Sequence, residues 1–287
     1  MTFEHNNNLD LILLNVGFVE PNDNWNWKDV HSPFARIYYV KSGEAKTKID
    51  GNTYTLKPNH LYLTPPFTLH DDVSYGPFSL YYVHFYEKTI NKESIFDKYI
   101  FPIGIEALSL DLLLIERLLE INPDRHLRNL DPQLYDNFPT FSRYVAESNK
   151  MAIHSSIETQ GILYQFLSRF AEHMETKSSN KDDRINKCLE HIHVNPDKEI
   201  SVKELADLAC ISENHLIRLF KKEVKSTPLK YINSKKIEKA QLLLLTTNMP
   251  IREVALELSL DNVSYFNRIF KEYTGKTPSD YKKQFQQ

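Results

Sequence analysis

Leu205-Ala-Asp-Leu-Ala-Cys-Ile-Ser-Glu-Asn-His-Leu-Ile-Arg-Leu-Phe-Lys221 and Val254-Ala-Leu-Glu-Leu-Ser-Leu-Asp-Asn-Val-Ser-Tyr-Phe-Asn-Arg-Ile-Phe-Lys271 carry one pattern twice. Arg218, Phe220 and Lys221 return fifty residues later as Arg268, Phe270 and Lys271, Thr227-Pro228 as Thr277-Pro278, and Tyr231 as Tyr281. Upstream the register slips by one, with Glu204-Leu205-Ala206 answered by Glu253-Val254-Ala255. A period of this size marks a duplicated supersecondary unit.

Each copy reads as helix, turn, helix and stop. In the first, Val202, Leu205, Ala206 and Ala209 share a helical face, Ser212 suits an N-cap, and Leu216, Leu219, Phe220 and Val224 repeat at helical spacing. In the second, Pro250 suits a first helical position and Ile251, Val254, Ala255 and Leu258 form the first face. Asp261 or Asn262 can cap the next helix, whose face is Tyr265, Phe266, Ile269, Phe270 and Tyr273, and Gly275 can take positive φ after it. Paired short helices of this kind form the helix-turn-helix plan, whose second helix enters a DNA major groove. The faces left over are polar and cationic: Asn214, His215, Arg218, Lys221 and Lys222 in one copy, Ser264, Asn267, Arg268 and Lys271 in the other. Such faces on single helices are often merely solvated. Two of them in register argue for a shared role.

The run from Ile251 to Pro278, followed by Tyr281, resembles the C-terminal signature of AraC-type (AraC/XylS) transcription regulators, and residues 205–231 fit the same pattern. The family usually has Gly-Phe where Ser259-Leu260 stands, Gly where Lys225 stands and Arg where Lys236 stands. The first two departures fall at turns, where a non-glycine residue at positive φ costs about 1 kcal/mol. By position in the family pattern, the resemblance implies base reading by Asn214, Ile217, Arg218, Val263, Ser264, Asn267 and Arg268. It places Lys221, Lys222, Lys271 and Lys276 on phosphates. Arg can grip guanine and Asn adenine, while phosphate contacts position without specifying.

The 287 residues suit two domains, and 41% hydrophobic with 25% charged residues describe a globular chain. No window reaches the ~18–20 apolar residues of a membrane span. The polar, Asn-rich start from Met1 to Asp10 lacks the basic flank and apolar core of a signal peptide. Cys188 and Cys210 lack metal-ligand spacing and read as buried free thiols of a reducing compartment, which points to the cytoplasm. From Lys181 onward the chain holds 19 basic and 15 acidic residues, a net +4, against −7 for residues 1–180. That asymmetry agrees with a nucleic-acid-facing C-terminal part.

Earlier in the chain the period changes to two. Arg36 to Val40, Ala45 to Ile49, Thr53 to Leu56, Leu61 to Leu63 and Ser79 to Tyr86 read as strands, with Asp50-Gly51 as a hairpin turn. Short strands at regular spacing suggest a sandwich or barrel. The order strand, Gly43, strand, Asp50-Gly51, Leu56-x-Pro58, Leu61-Tyr-Leu63-x-Pro65-Pro66, His70 resembles the cupin-like sensing domain of many AraC-type regulators, over about residues 15–90. Alternation groups Arg36 with Tyr38 and Val40, and Tyr82 with His84 and Tyr86. With His70, Trp25 and Trp27 added, these supply aromatic planes with hydrogen-bonding tips, a combination that suits a sugar. Arg36, Tyr38, His70, Tyr82, His84, Trp25 and Trp27 are therefore the candidate effector residues. The same aromatics would also serve as plain barrel core, with Arg36 outside. Enzymatic cupins use a His-x-His pair, which the strands after Arg36 lack, so neither metal nor another cofactor is expected.

Ile105 to Ile121 carries Leu108, Leu112, Ile115 and Leu119 at helical spacing, widened by Leu110, Leu113, Leu114 and Leu118. Met151 to Met174 reads as a second long helix and Gln133 to Asn149 as a shorter one. Helices in this place often join two chains in AraC-type proteins, though they could merely cover the barrel. Residues 176–183 read as a linker. Ile185 to Val194 opens the C-terminal part, and Leu229 to Leu245 joins its two copies.

The expected fold is thus α+β. A cupin-like sensing and dimerisation domain (residues 1–175, barrel about 15–90, helices about 105–175) precedes an all-α domain (184–287) with helix-turn-helix units at about 201–224 and 250–274. The expected function is a homodimeric, cytoplasmic, sequence-specific regulator of promoter or operator DNA, gated by a small polar effector, with RNA polymerase as a further partner and no membrane. Two contrasting functions are a metal-dependent cupin enzyme with a DNA-binding tail and a constitutive DNA binder whose barrel only dimerises.

Overall fold

The computed structural model describes residues 9–22, 24–88, 93–136, 138–177 and 181–283. Residues 1–8 of the polar start and Ser178-Ser179-Asn180 of the expected linker lie outside the described residues. The chain forms two compact units, one of residues 1–88 and 100–174, the other of 89–99 and 175–287.

In chain order the first strands are β1 (Leu11–Asn22), β2 (Asn26–Val30), β3 (Ala35–Ser42), β4 (Ala45–Ile49), β5 (Asn52–Leu56), β6 (His60–Thr64), β7 (His70–Ser74) and β8 (Phe78–Glu87). After α1 (Ile95–Lys98) and β9 (Tyr99–Ile100) come β10 (Gly104–Glu106), α2 (Ser109–Ile121), α3 (Pro132–Tyr135), α4 (Phe138–Lys150), α5 (Ile153–Ala171) and β11 (Glu175–Thr176), the last paired with β9. One antiparallel sheet runs β1-β8-β3-β6-β10 and the other β2-β7-β4-β5. Asp50 (φ 49°) and Gly51 (φ 81°) make the two-residue turn between β4 and β5, which fixes the register Ile49 to Asn52. Residues 35–40 of β3 are buried on both faces. One face looks into the barrel, and α2, α4 and α5 pack against β1 of the larger sheet.

β1, β2 and β7 were not expected as strands. Leu11 to Val19 is apolar enough to read as one, but Asn15 and Gly17 interrupt it. Gly17 is required there, because a Cβ would lie 2.1 Å from the Tyr82 hydroxyl. The helix expected from Ile105 begins only at Ser109. Residues 104–106 instead pair with β6, and Asp111 caps the helix by accepting from the Leu108 amide at 2.7 Å. Leu108, expected on the core stripe, is exposed. The single helix expected over 133–149 is two, α3 and α4.

The second unit contains α6 (Asp183–Val194), α7 (Val202–Leu208), α8 (Glu213–Val224), α9 (Pro228–Thr246), α10 (Ile251–Glu257), α11 (Val263–Thr274) and α12 (Pro278–Lys283). Its two cores repeat the sequence duplication. Leu205, Ala206, Leu216 and Phe220 close on Ile185, Cys188, Ile192 and Ile232, while Val254, Ala255, Phe266 and Phe270 close on Ile237, Ala240 and Leu244. Thr227 caps α9 through the Lys230 amide, and Thr277 accepts from the Asp280 amide at the start of α12. Tyr231 packs on Phe220 as Tyr281 packs on Phe270. α9, at about 1.5 Å per residue, gives the two cores a common spine of roughly 28 Å.

Candidate functional site

The barrel interior is polar along one row. Across the larger sheet Asn15 pairs with His84, His84 with Arg36, and Arg36 with Thr64. The next row on that face holds Gly17, Tyr82, Tyr38 and Tyr62. From the smaller sheet His70, Asp72, Ser74 and Thr47 point inward, since alternate residues of β7 and β4 are buried. Arg36, His70, His84 and Asp72 are all at least 96% buried. Rings surround His84: Phe34 at 5.2 Å, Tyr82 at 5.3 Å, Tyr135 at 5.6 Å and Tyr38 at 6.2 Å between centroids, and Trp25 stands edge-on to Tyr38 at 5.7 Å.

Electrostatics follow from burial. It pushes His84 well below the usual imidazole range and His70 down to about 4, with Arg36 adding to both, so both rings are neutral at pH 7. It pushes Asp72 up to about 6, a rise that the Thr47 hydroxyl and Arg36 partly offset. Burial also opposes the charge of Arg36, but Tyr135, Tyr38 and Asp136 outweigh it and hold the guanidinium protonated. Arg36 Nη2 donates to Ser32 Oγ at 2.5 Å and to Tyr135 Oη at 3.3 Å, and lies 3.7 Å from Asp136 Oδ2. Ser32 Oγ in turn donates to Asp136. Among the described residues, both ring nitrogens of His84, His70 Nε2, Arg36 Nε and the side-chain amide of Asn15 have no hydrogen-bond partner.

Six of the seven candidate effector residues, Arg36, Tyr38, His70, Tyr82, His84 and Trp25, are buried in this interior. Trp27 is half-buried at its margin, edge-on to Trp25 at 5.9 Å. Sequence reasoning missed Asn15, Ser32, Thr47, Asp72, Tyr135 and Asp136. A polar residue inside an apolar run was the available signal for Asn15. Tyr135 and Asp136 sit about a hundred positions from Arg36 and carried no local signal.

In the second unit Asn214, Arg218, Lys221 and Lys222 are exposed, and so are Ser264, Asn267, Arg268, Lys271 and Lys276, with Ile217 and Val263 half-buried. Apart from Lys276, which follows Gly275 beyond the end of α11, they occupy the sides of α8 and α11 away from Leu216 and Phe220, and Phe266 and Phe270. Ser212 and Asn262 cap the two helices by accepting from the His215 and Tyr265 amides. Arg268 lies over the Tyr265 ring at 5.1 Å and 3.7 Å from Glu272, both on its own helix. Exposed pairs of this kind contribute little and leave the guanidinium available. Cys188 is buried as expected, whereas Cys210 is exposed, because the turn between α7 and α8 holds it at φ 53° and swings it outward.

The profile of the AraC-like ligand binding domain matches residues 20–95, and that of a helix-turn-helix domain matches 205–284. The chain belongs to the AraC-type transcription regulators. The arabinose operon regulatory protein of Escherichia coli (strain K12) is 30% identical over 132 residues, 45% of each chain. That of Salmonella typhimurium is 28% identical over 145 residues, 50% of this chain and 51% of that one. The chain thus matches about half the length of these curated relatives. The C-terminal domain of the two-component response regulator yesN from Fusobacterium nucleatum is 28% identical, covering 36% of this chain and 100% of that one, with a TM-score of 0.34. Among the described residues no helix is long and apolar enough to cross a membrane.

The departures from the AraC-type pattern have structural answers. Lys225 (φ 61°) and Ser259 (φ 49°) both take positive φ where the AraC-type pattern has glycine, and Ser259 Oγ is anchored by donating to the Asp197 carbonyl at 2.6 Å. Lys236, standing for the usual arginine, is buried and donates to the Leu258 carbonyl at the end of α10, at 2.6 Å.

Proposed function

We propose that the chain is a sequence-specific DNA-binding transcription regulator, acting as a homodimer and controlled by a small polar effector, of carbohydrate type, held in the N-terminal barrel. The observation that carries the DNA-binding part is the duplicated outward face. Two capped helices bury their apolar sides in matching cores and leave Asn214 and Arg218, and Ser264, Asn267 and Arg268, exposed. The polar barrel interior, with unpartnered imidazole, amide and guanidinium nitrogens among aromatic planes, supports the effector. Exposed Leu110 and Leu113 on α2 and Ile153 and Ile157 on α5 support a second copy as the partner. Promoter or operator DNA and RNA polymerase are the further partners, residues 1–175 and 184–287 are the sensing and DNA-binding parts, and the cytoplasm is the site of action. Effector binding changes the population able to engage paired half-sites. The test is to select duplexes from a random pool with the full chain and measure their binding by fluorescence anisotropy. Preferential binding to the selected duplexes, lost in Arg218→Ala/Arg268→Ala, is expected; equal binding to random DNA would contradict it.

A further inference from the structure

The buried guanidinium of Arg36 already holds something shaped like a ligand. Tyr135 ends α3, and Asp136 follows it. Between them they present a phenol hydroxyl at 3.3 Å and a carboxylate at 3.7 Å to one side chain that is 1% exposed. Tyr135 also lies over His84, 32° from parallel. The helix that carries this pair is a single turn of four residues, and it borders an open cavity of about 290 Å³ lined by Leu127, Leu134, Tyr135, Pro139, Thr140 and Arg143 among others. The plug is therefore short, with free space beside it, while the barrel residues it covers belong to two hydrogen-bonded sheets.

We infer that Tyr135 and Asp136 are an internal stand-in for the effector, and that the effector is a hydroxylated carboxylate, of the sugar-acid class, which displaces them from Arg36. This deepens the effector reading above and rests on it. The charge decides the class. A neutral sugar that displaced Asp136 would take from the desolvated guanidinium the carboxylate that lies 3.7 Å from it, a costly loss for a buried ion. A carboxylate replaces that charge and can bond Arg36 through two parallel N–H groups, using the Nε that has no partner in the chain. Hydroxyls on the same molecule would then meet the ring nitrogens of His84, His70 Nε2 and the Asn15 amide, which also have no hydrogen-bond partner, and its C–H face would lie on Tyr38 and Trp25.

The test uses the full chain and small probes. Asp136→Ala opens the carboxylate's place, and sodium acetate is compared with sodium chloride at matched pH and ionic strength. Acetate should raise the Tm of Asp136→Ala by about 3–6 °C at ten times its Kd, leave the unchanged chain nearly unaffected, and lose its effect in Arg36→Met/Asp136→Ala. Asp136→Asn, closer in shape, serves if the alanine variant melts too low. Galacturonate, glucuronate and gluconate should then bind Asp136→Ala more tightly than acetate, and galactose and glucose should not. Equal melting in acetate and chloride overturns the anion site. Neutral sugars binding as tightly as their acids, or acids binding no better than acetate, overturns the ligand class. Affinity for a selected duplex is read in the same samples, so the two readings fail separately. Acetate that stabilises Asp136→Ala without changing its DNA affinity supports the anion site and ends effector control.

Discussion

Lys225 and Gly275, fifty residues apart, end α8 and α11 in the same left-handed conformation, at φ 61° and 75°, each with its amide donating to the carbonyl four residues back. Glycine takes this conformation freely, whereas a lysine Cβ is crowded against the following carbonyl. Lys225→Gly should therefore stabilise the chain by about 0.5–1 kcal/mol, part of the relief being offset by the freer unfolded chain. Thermal unfolding checks this, and Gly275→Lys should destabilise the chain by a similar free energy and lower the Tm.

Lys236 holds the end of α10 from within a core. Its ammonium is buried against the Leu258 carbonyl, and burial lowers its pKa, with Glu199, Asp197 and Asp261 offsetting part of the effect. Lys236→Met keeps the volume and removes the donor, and should cost about 1–3 kcal/mol in denaturant unfolding. Lys236→Arg should restore most of it.

The barrel's neighbouring His70 and Asp72 titrate in opposite senses. The Asp72 carboxyl is raised from 3.8 to about 6 by burial, so its contribution to stability is complete below pH 3.8 and lost as the pH rises through 6. His70 is lowered from 6.5 to about 4, so its contribution is complete above pH 6.5 and lost as the pH falls through 4. Between pH 4 and 6 the two slopes oppose each other. Asp72→Asn should stabilise the chain at pH 7.5 by up to about 3 kcal/mol, an advantage that vanishes by pH 4. Urea unfolding at both pH values measures it, and a pH-independent difference would remove Asp72 from the account.

Base reading and phosphate contact have different signatures. Arg268→Ala should cost about 1–3 kcal/mol on a selected duplex and relax discrimination at one base pair. Lys222→Ala should weaken all sequences alike and reduce the salt slope by about one unit. Titrations at several salt concentrations on selected and random duplexes separate them, and equal losses for Arg268→Ala on both duplexes would exclude base reading.

How much of this was legible in the sequence depended on how local each feature is. The helix-turn-helix cores are built from residues three and four apart, such as Leu216 and Phe220, so their pattern appears within a single turn. The barrel strands that alternate or end in Asp50-Gly51 were legible for the same reason. β7 was not, because its inward residues His70, Asp72 and Ser74 are polar and the outward side is no more apolar. Asp136 could not be found, since its partner Arg36 is supplied by a strand a hundred residues earlier. Cys210 was misplaced because residue type outweighed the turn it sits in.

In the proposed function α8 and α11 each read one major groove of the same duplex. Hydroxyl-radical and methylation protection of a selected duplex by the full chain tests it most directly. Two protected patches on one face, about one helical turn apart, are predicted, with Arg218→Ala erasing one and Arg268→Ala the other. A single patch, or both substitutions erasing the same one, would contradict it.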